Sequence, residues 1–196
     1  PVDPNGSSIF KLGSTVPLKF ELLGHCAGVT SLNATVTAAK VTDGNVTSVR
    51  FRNVPSFVFE RGMEVETSIG KISADISYGG AFYASVLASD VGLSVEPKHL
   101  PTLIELGREI KREIEAQREV IHPLEPELRD IYGVIFFDRL GEEDGRLVQR
   151  NVTIFADGEV DRSPCGSGTS ARLALLDADG ELKRGQTLLH RSIVDT

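Results

Sequence analysis

DRSPCGSGTS (residues 161–170) is a loop of glycine and small polar residues, and ARLALLDA (residues 171–178) follows it directly. The second stretch is apolar almost all round, which predicts a buried helix. The first N–H groups of a helix have no partner within it, so here they face the preceding loop. This junction is the densest local signal in the sequence, and both the expected fold and the expected chemistry follow from it.

The junction predicts a site for an anion beside a reactive sulfur. The unpaired N–H groups and the positive end of the helix dipole attract a carboxylate or a phosphate. We expect that anion against the small residues of the helix start: Gly166, Ser167, Gly168 and Thr169. The same field favours the thiolate form of Cys165. Asp161 lies four residues upstream, where it could accept a hydrogen bond from a substrate ammonium group.

The alternative interpretation of this stretch needs no ligand. A free cysteine at a tight turn is often buried and behaves as a small hydrophobic residue. The glycine-rich context before an apolar helix weighs against that alternative without removing it. The local sequence by itself therefore leaves both interpretations of Cys165 open.

Upstream of the loop the chain is β-rich, with one amphipathic helix. Short strands are predicted at residues 34–41, 46–51, 54–59, 63–67, 71–78, 81–87, 131–138 and 152–156. Leu103, Leu106, Ile110 and Ile114 form one apolar stripe at helical spacing. This stripe predicts a helix over about residues 99–120, ended by His122-Pro123 because proline disfavours helix in the preceding residue. A final hairpin is predicted between residues 181–183 and 187–193.

Composition limits the function classes. Across 196 residues, 21 Lys and Arg face 28 Asp and Glu, a net charge of −7, which argues against a nucleic-acid-binding protein. We expect no membrane partner, since no apolar run approaches the length of about 18 residues that a spanning helix needs. Residues 1–6 lack the features of a signal peptide, so a cytoplasmic location is expected. The two cysteines and four histidines show no metal-ligand spacing, so we predict no metal.

The loop DRSPCGSGT (residues 161–169) closely resembles the signature of the proline racemase family. That family includes proline racemase, hydroxyproline 2-epimerase and trans-3-hydroxy-L-proline dehydratase. Four further stretches resemble family segments in the same order: VTSVRFRNVPSF (46–57), YGGAFYA (78–84), IYGVIF (131–136) and RNV (150–152). The resemblance therefore extends from about residue 41 to residue 196.

The resemblance implies an α/β (α+β) fold of the diaminopimelate-epimerase type, a curved, mostly antiparallel sheet around a central helix. It also implies acid–base catalysis without a cofactor, by two cysteines on opposite sides of the substrate Cα. Cys165 is then one acid/base residue and Asp161 contacts the ring nitrogen of proline or hydroxyproline. The remaining implied substrate contacts are Gly166 and Ser167 at the carboxylate, with Tyr132 and Phe155 lining the pocket.

The first part of the chain departs from the family pattern. The family's first lobe supplies a Cys-Gly-His motif that this sequence lacks, and Cys26 in GHCAG (24–28) follows a histidine instead. Residues 8–20, SIFKLGSTVPLKF, resemble the start of a small β-domain of bacterial surface proteins, which implies a surface location as the alternative. We therefore expect a β-rich segment over residues 1–40 and a racemase-like lobe over 41–196. Two copies pairing as a homodimer, so that two Cys165 thiols share one site, would replace the missing cysteine.

Three functions follow from these observations. A racemase or epimerase acting at the Cα of proline or hydroxyproline is favoured. A trans-3-hydroxy-L-proline dehydratase is the first alternative, because Cys165 is also compatible with the dehydratases of this family that keep this cysteine. A non-catalytic half-enzyme or a surface-binding module is the second, because the motif of the first lobe is missing.

Overall fold

The computed structural model describes the backbone of residues 35–42 and 45–52, and residues 53–196 in full. In the first of these parts, β1 (Thr35–Thr42) and β2 (Asn45–Arg52) pair antiparallel, which confirms the strands predicted at residues 34–41 and 46–51. They belong to one unit, residues 1–52, and residues 53–196 form a second. The domain boundary predicted near residue 40 stays a prediction, and Cys26 lies outside the described residues.

The second unit is a seven-stranded sheet with two helices. Its strands are β3 (Phe57–Thr67), β4 (Gly70–Tyr78), β5 (Phe82–Leu87), β6 (Ile131–Glu143), β7 (Arg146–Phe155), β8 (Glu159–Asp161) and β9 (Leu188–Ser192). The helices are α1 (Leu100–Gln117) and α2 (Gly166–Ala178). The strands lie in the order β3-β4-β5-β6-β7-β8, with β9 also paired to β7.

All neighbouring strands in this sheet are antiparallel except the pairs β5–β6 and β7–β9. A parallel pair needs a crossover connection. The chain from β5 to β6 contains α1, and the chain from β7 to β9 contains β8 and α2. The predicted α/β fold with a curved, mostly antiparallel sheet is therefore confirmed.

One face of the sheet is apolar and packs against α1. The predicted stripe of α1 is confirmed, since Leu103, Leu106, Ile110 and Ile114 are all buried. Cross-strand register places these buried sheet residues on one face: Val65, Ile72, Ala74, Ile76, Ala84, Val86, Val134, Phe136, Val152 and Ile154. Helix and sheet approach closely at Gly107, where a Cβ would lie 3.0 Å from the Cβ of Ile154.

The opposite face of the sheet carries polar side chains and packs against α2. Its buried residues by register are Ser77, Tyr83, Ser85, Ile135, Phe137, Gln149, Asn151 and Thr153. Arg172 of α2 buries its charge against this face. Its guanidinium carbon lies over the Phe137 ring, 3.7 Å from the ring centroid. Arg172 Nη2 also donates to Gln149 Oε1 at 3.4 Å. The helix predicted over residues 171–178 is confirmed and begins earlier, at Gly166.

The N-terminal half of α2 lies directly on the backbone of Gly79. A Cβ at this position would overlap the carbonyl oxygen of Ser167 and lie 2.5 Å from the nitrogen of Ala171. Asn53 Nδ2 donates a 2.6 Å hydrogen bond to the Gly79 carbonyl oxygen and fixes this turn from the other side. Because both atoms that would clash belong to the backbone, any larger residue at this position must displace α2.

Two sequence predictions are wrong in detail. α1 ends at Gln117, ahead of His122-Pro123, because the chain turns extended at Arg118 and buries Val120. The two strands predicted at 54–59 and 63–67 form one strand, β3, with an irregular register around Gly62.

The predicted final hairpin is also wrong. α2 ends in a Schellman motif, in which Gly180 adopts a positive φ and the Glu181 N–H bonds to the Leu176 carbonyl oxygen. That turn is followed by β9, which runs parallel to β7 instead of pairing with residues 181–183.

The Gly79 contact predicts the effect of a Gly79→Ala substitution. Overpacking against rigid backbone typically costs about 1–3 kcal/mol, and the displaced α2 would move Cys165 as well. We expect a lower urea midpoint and a changed rate of Cys165 alkylation. Gly92→Ala is the control, since no other atom lies within 4 Å of its Cβ position and the cost comes from a φ of +70°. Equal alkylation rates in the two variants would contradict this account.

Candidate active site

Cys165 is the residue before the first turn of α2, in an uncommon backbone conformation. Its φ is +62°, a region that residues with a side chain rarely adopt. The first backbone bond of the helix runs from Thr169 N to Cys165 O at 2.7 Å. The N–H groups of Gly166, Ser167 and Gly168 precede that bond, and the Cys165 side chain does not cap them. These three donors remain for an anion, as the sequence predicts, whereas the Thr169 N–H, expected there as well, is taken by the Cys165 carbonyl oxygen.

The sulfur of Cys165 is enclosed by the sheet and the first turn of α2. The residue is 7% exposed and packs with Tyr83, Ile135 and Ala171. A Cβ on Gly168 would lie 3.0 Å from Sγ, so the absence of a side chain there makes room for the sulfur. Tyr83 Oη lies 3.6 Å from Sγ and 2.6 Å from Ser167 Oγ.

Asp161 stabilises the loop that precedes Cys165. Its Oδ1 accepts hydrogen bonds from Ser163 N at 2.8 Å and Ser163 Oγ at 2.7 Å. Ser163 Oγ in turn accepts a bond from Cys165 N at 3.1 Å. These bonds help hold the positive φ of Cys165, a conformation that costs about 1–3 kcal/mol. The predicted contact between Asp161 and a ring nitrogen stays a prediction.

A second set of hydrogen bonds holds the loop from the side of the sheet. Asn151 Nδ2 and Thr169 Oγ1 both donate to the Pro164 carbonyl oxygen, at 3.0 Å each. The Thr169 hydroxyl has one proton, which it donates to the Pro164 carbonyl oxygen. Its oxygen therefore accepts a 2.8 Å hydrogen bond from His190 Nδ1. Burial, and next the charge of Arg172, lowers the pKa of His190 to about 4. His190 is therefore neutral at pH 7 and acts as a fixed donor.

Two aromatic residues extend the site toward solvent. The Tyr132 ring stacks on Phe155, with centroids 5.7 Å apart and an interplanar angle of 6°. It also meets Tyr83 edge-on at 5.6 Å. Tyr132 is 48% exposed, and burial raises its pKa, with smaller contributions from Cys165 and Asp161. The pair offers an accessible flat apolar surface next to the cysteine.

The structure thus gathers the predicted site residues around the start of α2. Cys165, Gly166 and Ser167 are consecutive there, Asp161 reaches Cys165 through Ser163, and Tyr132 with Phe155 reaches it through Tyr83. Sequence reasoning missed the roles of Tyr83, Asn151 and His190. Tyr83 and Asn151 lie in stretches that resemble the family, and a polar group within an apolar strand is the signal that could have found them.

Metal and membrane sites are not found in the part of the chain that the structure describes. No group of three His, Cys, Asp or Glu side chains there could hold a metal ion. Neither described helix is long and apolar enough to cross a membrane.

Comparison with known proteins decides the family. The model of the proline racemase family matches residues 26–196. The chain belongs to the proline racemase family. Among the curated relatives of this family member, trans-3-hydroxy-L-proline dehydratase of Bacillus cereus is 48% identical over 160 residues, which is 82% of this chain and 47% of that protein. Proline racemase of Clostridioides difficile is 40% identical over 157 residues, 80% of this chain and 46% of that protein.

A solved structure supports the same family assignment. A hydroxyproline epimerase from Agrobacterium vitis, crystallised with bound trans-4-hydroxy-L-proline, is 42% identical with a TM-score of 0.73. The match covers 81% of this chain and 45% of that one. This chain of the proline racemase family therefore spans about half the length of the relatives it matches.

The low pKa of His190 predicts a pH dependence of stability. Between pH 6.5 and about 4 the unfolded chain binds a proton at His190 that the folded chain does not bind. The free energy of unfolding therefore falls as the pH is lowered through this window. The loss attributable to His190 is at most about 3 kcal/mol. Urea unfolding of wild type and His190→Asn should show a stability gap at pH 7 that shrinks toward pH 4. A gap independent of pH would contradict the prediction.

Proposed function

We propose that this protein moves a proton at the Cα of proline or a hydroxyproline, with the Cys165 thiol as the acid/base group. The observation that carries the proposal is the position of Sγ beside the start of a helix whose first three N–H groups are free of intrahelical bonds. Membership of the proline racemase family restricts the substrates considered to imino acids.

The free N–H groups suit a substrate carboxylate. A carboxylate held by Gly166, Ser167 and Gly168 has its Cα one bond away, and therefore close to the residue that precedes those amides. When the Cα–H bond breaks, negative charge spreads into the carboxylate. Helix N–H donors that are already in place stabilise that charge without reorganisation. The same groups thus bind the substrate and lower the barrier to deprotonation.

The proton transfer has two stereochemical outcomes. The Cys165 thiolate takes the Cα proton and becomes a thiol, and the electron pair of the C–H bond stays on the substrate. Return of a proton from Cys165 restores the starting isomer. Delivery of a proton to the opposite face by a second acid gives the mirror configuration, and that acid is the group the missing Cys-Gly-His motif would supply. Cys26 is one candidate for it, and Cys165 of a second copy is another.

Dehydration is the second candidate function. It is favoured by the 48% identity with trans-3-hydroxy-L-proline dehydratase of Bacillus cereus. The first step is the same removal of the Cα proton by Cys165. The electron pair then forms a double bond to C3 while the C3–O bond breaks, and the hydroxyl group takes a proton and leaves as water.

Deuterium exchange tests the proposal. The protein is incubated in D₂O with each isomer of proline, 4-hydroxyproline and 3-hydroxyproline, and Cα–H is followed by NMR. We expect exchange with at least one isomer, and a loss of at least about 100-fold in Cys165→Ser, because general acid–base groups typically contribute 10²–10⁴-fold. Cys26→Ser removes the only other thiol in the sequence and should keep the exchange, because removal and return of the proton on one face need only Cys165.

The products separate the alternatives. Exchange with inversion shows racemase or epimerase chemistry, and loss of the 3-hydroxyl shows dehydratase chemistry. Exchange with retention shows a single acid/base group acting alone. No exchange with any isomer would overturn the proposal and favour a non-catalytic module.

A further inference from the structure

The Tyr83 hydroxyl group contacts the sulfur of Cys165, and the reaction proposed above leaves it without a role. It lies on β5, on the face of the sheet that packs against α2, and is almost completely buried. Its Oη stands between two partners, Cys165 Sγ at 3.6 Å and Ser167 Oγ at 2.6 Å. In both contacts either atom can be the donor, because a hydroxyl or thiol group can both donate and accept a hydrogen bond.

We propose that the Tyr83 and Ser167 hydroxyls form a reversible hydrogen-bond relay that stabilises Cys165 both as thiolate and as thiol. This inference rests on the proposed acid/base role of Cys165. A thiolate only accepts hydrogen bonds, so in that state Ser167 donates to Tyr83 and Tyr83 donates to Sγ. A thiol can donate its own proton, so in that state Sγ donates to Tyr83 and Tyr83 donates to Ser167.

The relay changes direction without moving heavy atoms. Only the hydroxyl and thiol protons rotate, and each of the three groups keeps its neighbours. In the thiol state the Ser167 proton is no longer directed at Tyr83, so it can point toward a bound carboxylate. That is the moment when the proposed reaction places negative charge there, and an extra donor would stabilise it.

The surroundings keep Tyr83 in place and protonated. Ile135, Ala171 and Cys165 pack with it, and the Tyr132 ring meets it edge-on. Burial raises the pKa of Tyr83, and the charge of Cys165 raises it further. The phenol therefore retains its proton while the thiol gains and loses one, as the relay requires.

The test measures the pH dependence of Cys165 alkylation by iodoacetamide. Mass spectrometry of the peptide that contains Cys165 keeps the signal separate from Cys26. Removing a donor to the thiolate in Tyr83→Phe should raise the pH midpoint of alkylation by about one unit, the equivalent of one hydrogen bond to a charged group. Ser167→Ala removes the group that donates to Tyr83 and should raise the midpoint by a smaller amount.

Matched controls separate the relay from packing. Tyr78→Phe is the control for Tyr83→Phe, because Tyr78 is a buried tyrosine of the neighbouring strand. Ser85→Ala is the control for Ser167→Ala, because Ser85 is a buried serine two residues from Tyr83. Both should keep the wild-type midpoint. A variant that only loosens packing lets water reach the buried sulfur, which favours the thiolate and keeps or lowers the midpoint, whereas loss of a donor raises it.

Two outcomes would overturn the relay. The first is a Tyr83→Phe midpoint equal to that of Tyr78→Phe. The second, which decides the matter if Tyr83→Phe does not fold, is a Ser167→Ala midpoint equal to that of Ser85→Ala. Alkylation needs no substrate, so this result is independent of the deuterium exchange that tests the proposed function.

Discussion

The backbone of Gly79 touches the backbone of α2 in its N-terminal half, and the position of Cys165 depends on that contact. With no Cβ between them, the turn after β4 meets α2 at Ser167 and Ala171. The helix start is then held at the sheet, where Gly168 leaves room for the sulfur and Tyr83 reaches it. A positive φ at Cys165 is the cost of this arrangement, and the hydrogen bonds from Asp161 through Ser163 help to offset it.

The two faces of the sheet have different roles: one forms the apolar core with α1, and the other holds the loop that carries Cys165. The buried side chains of the face against α1 are mainly apolar, and their burial supplies a large part of the hydrophobic stabilisation of this unit. The face against α2 accepts buried polar groups, whose hydrogen bonds are directional and so fix atoms in place. Asn151, Thr169 and His190 use those bonds to hold Pro164, the residue before Cys165. A purely apolar second face would bury α2 equally well but would leave the loop without these anchors.

Local patterns in the sequence predict the parts of this fold that local physics determines. The stripe from Leu103 to Ile114 predicts α1, and the glycine-rich loop before residue 171 predicts the free N–H groups at Cys165. Contacts between distant residues leave no such pattern. Tyr83 is 82 residues from Cys165, and His190 is 21 residues from Thr169, so neither contact could be predicted from spacing. The parallel pairing of β9 with β7 also joins distant residues. The sequence pattern instead favours a hairpin between neighbouring segments, which the chain does not form.

The central claim is that the first N–H groups of α2 hold a carboxylate beside Cys165. A ¹H–¹⁵N NMR titration with pyrrole-2-carboxylate, whose ring carbon is planar like a deprotonated Cα, measures this directly. We expect the amide signals of Gly166, Ser167 and Gly168 to shift most, and to shift in Cys165→Ser as well, since backbone groups make the contact. Saturating ligand that leaves these three signals unchanged would contradict it.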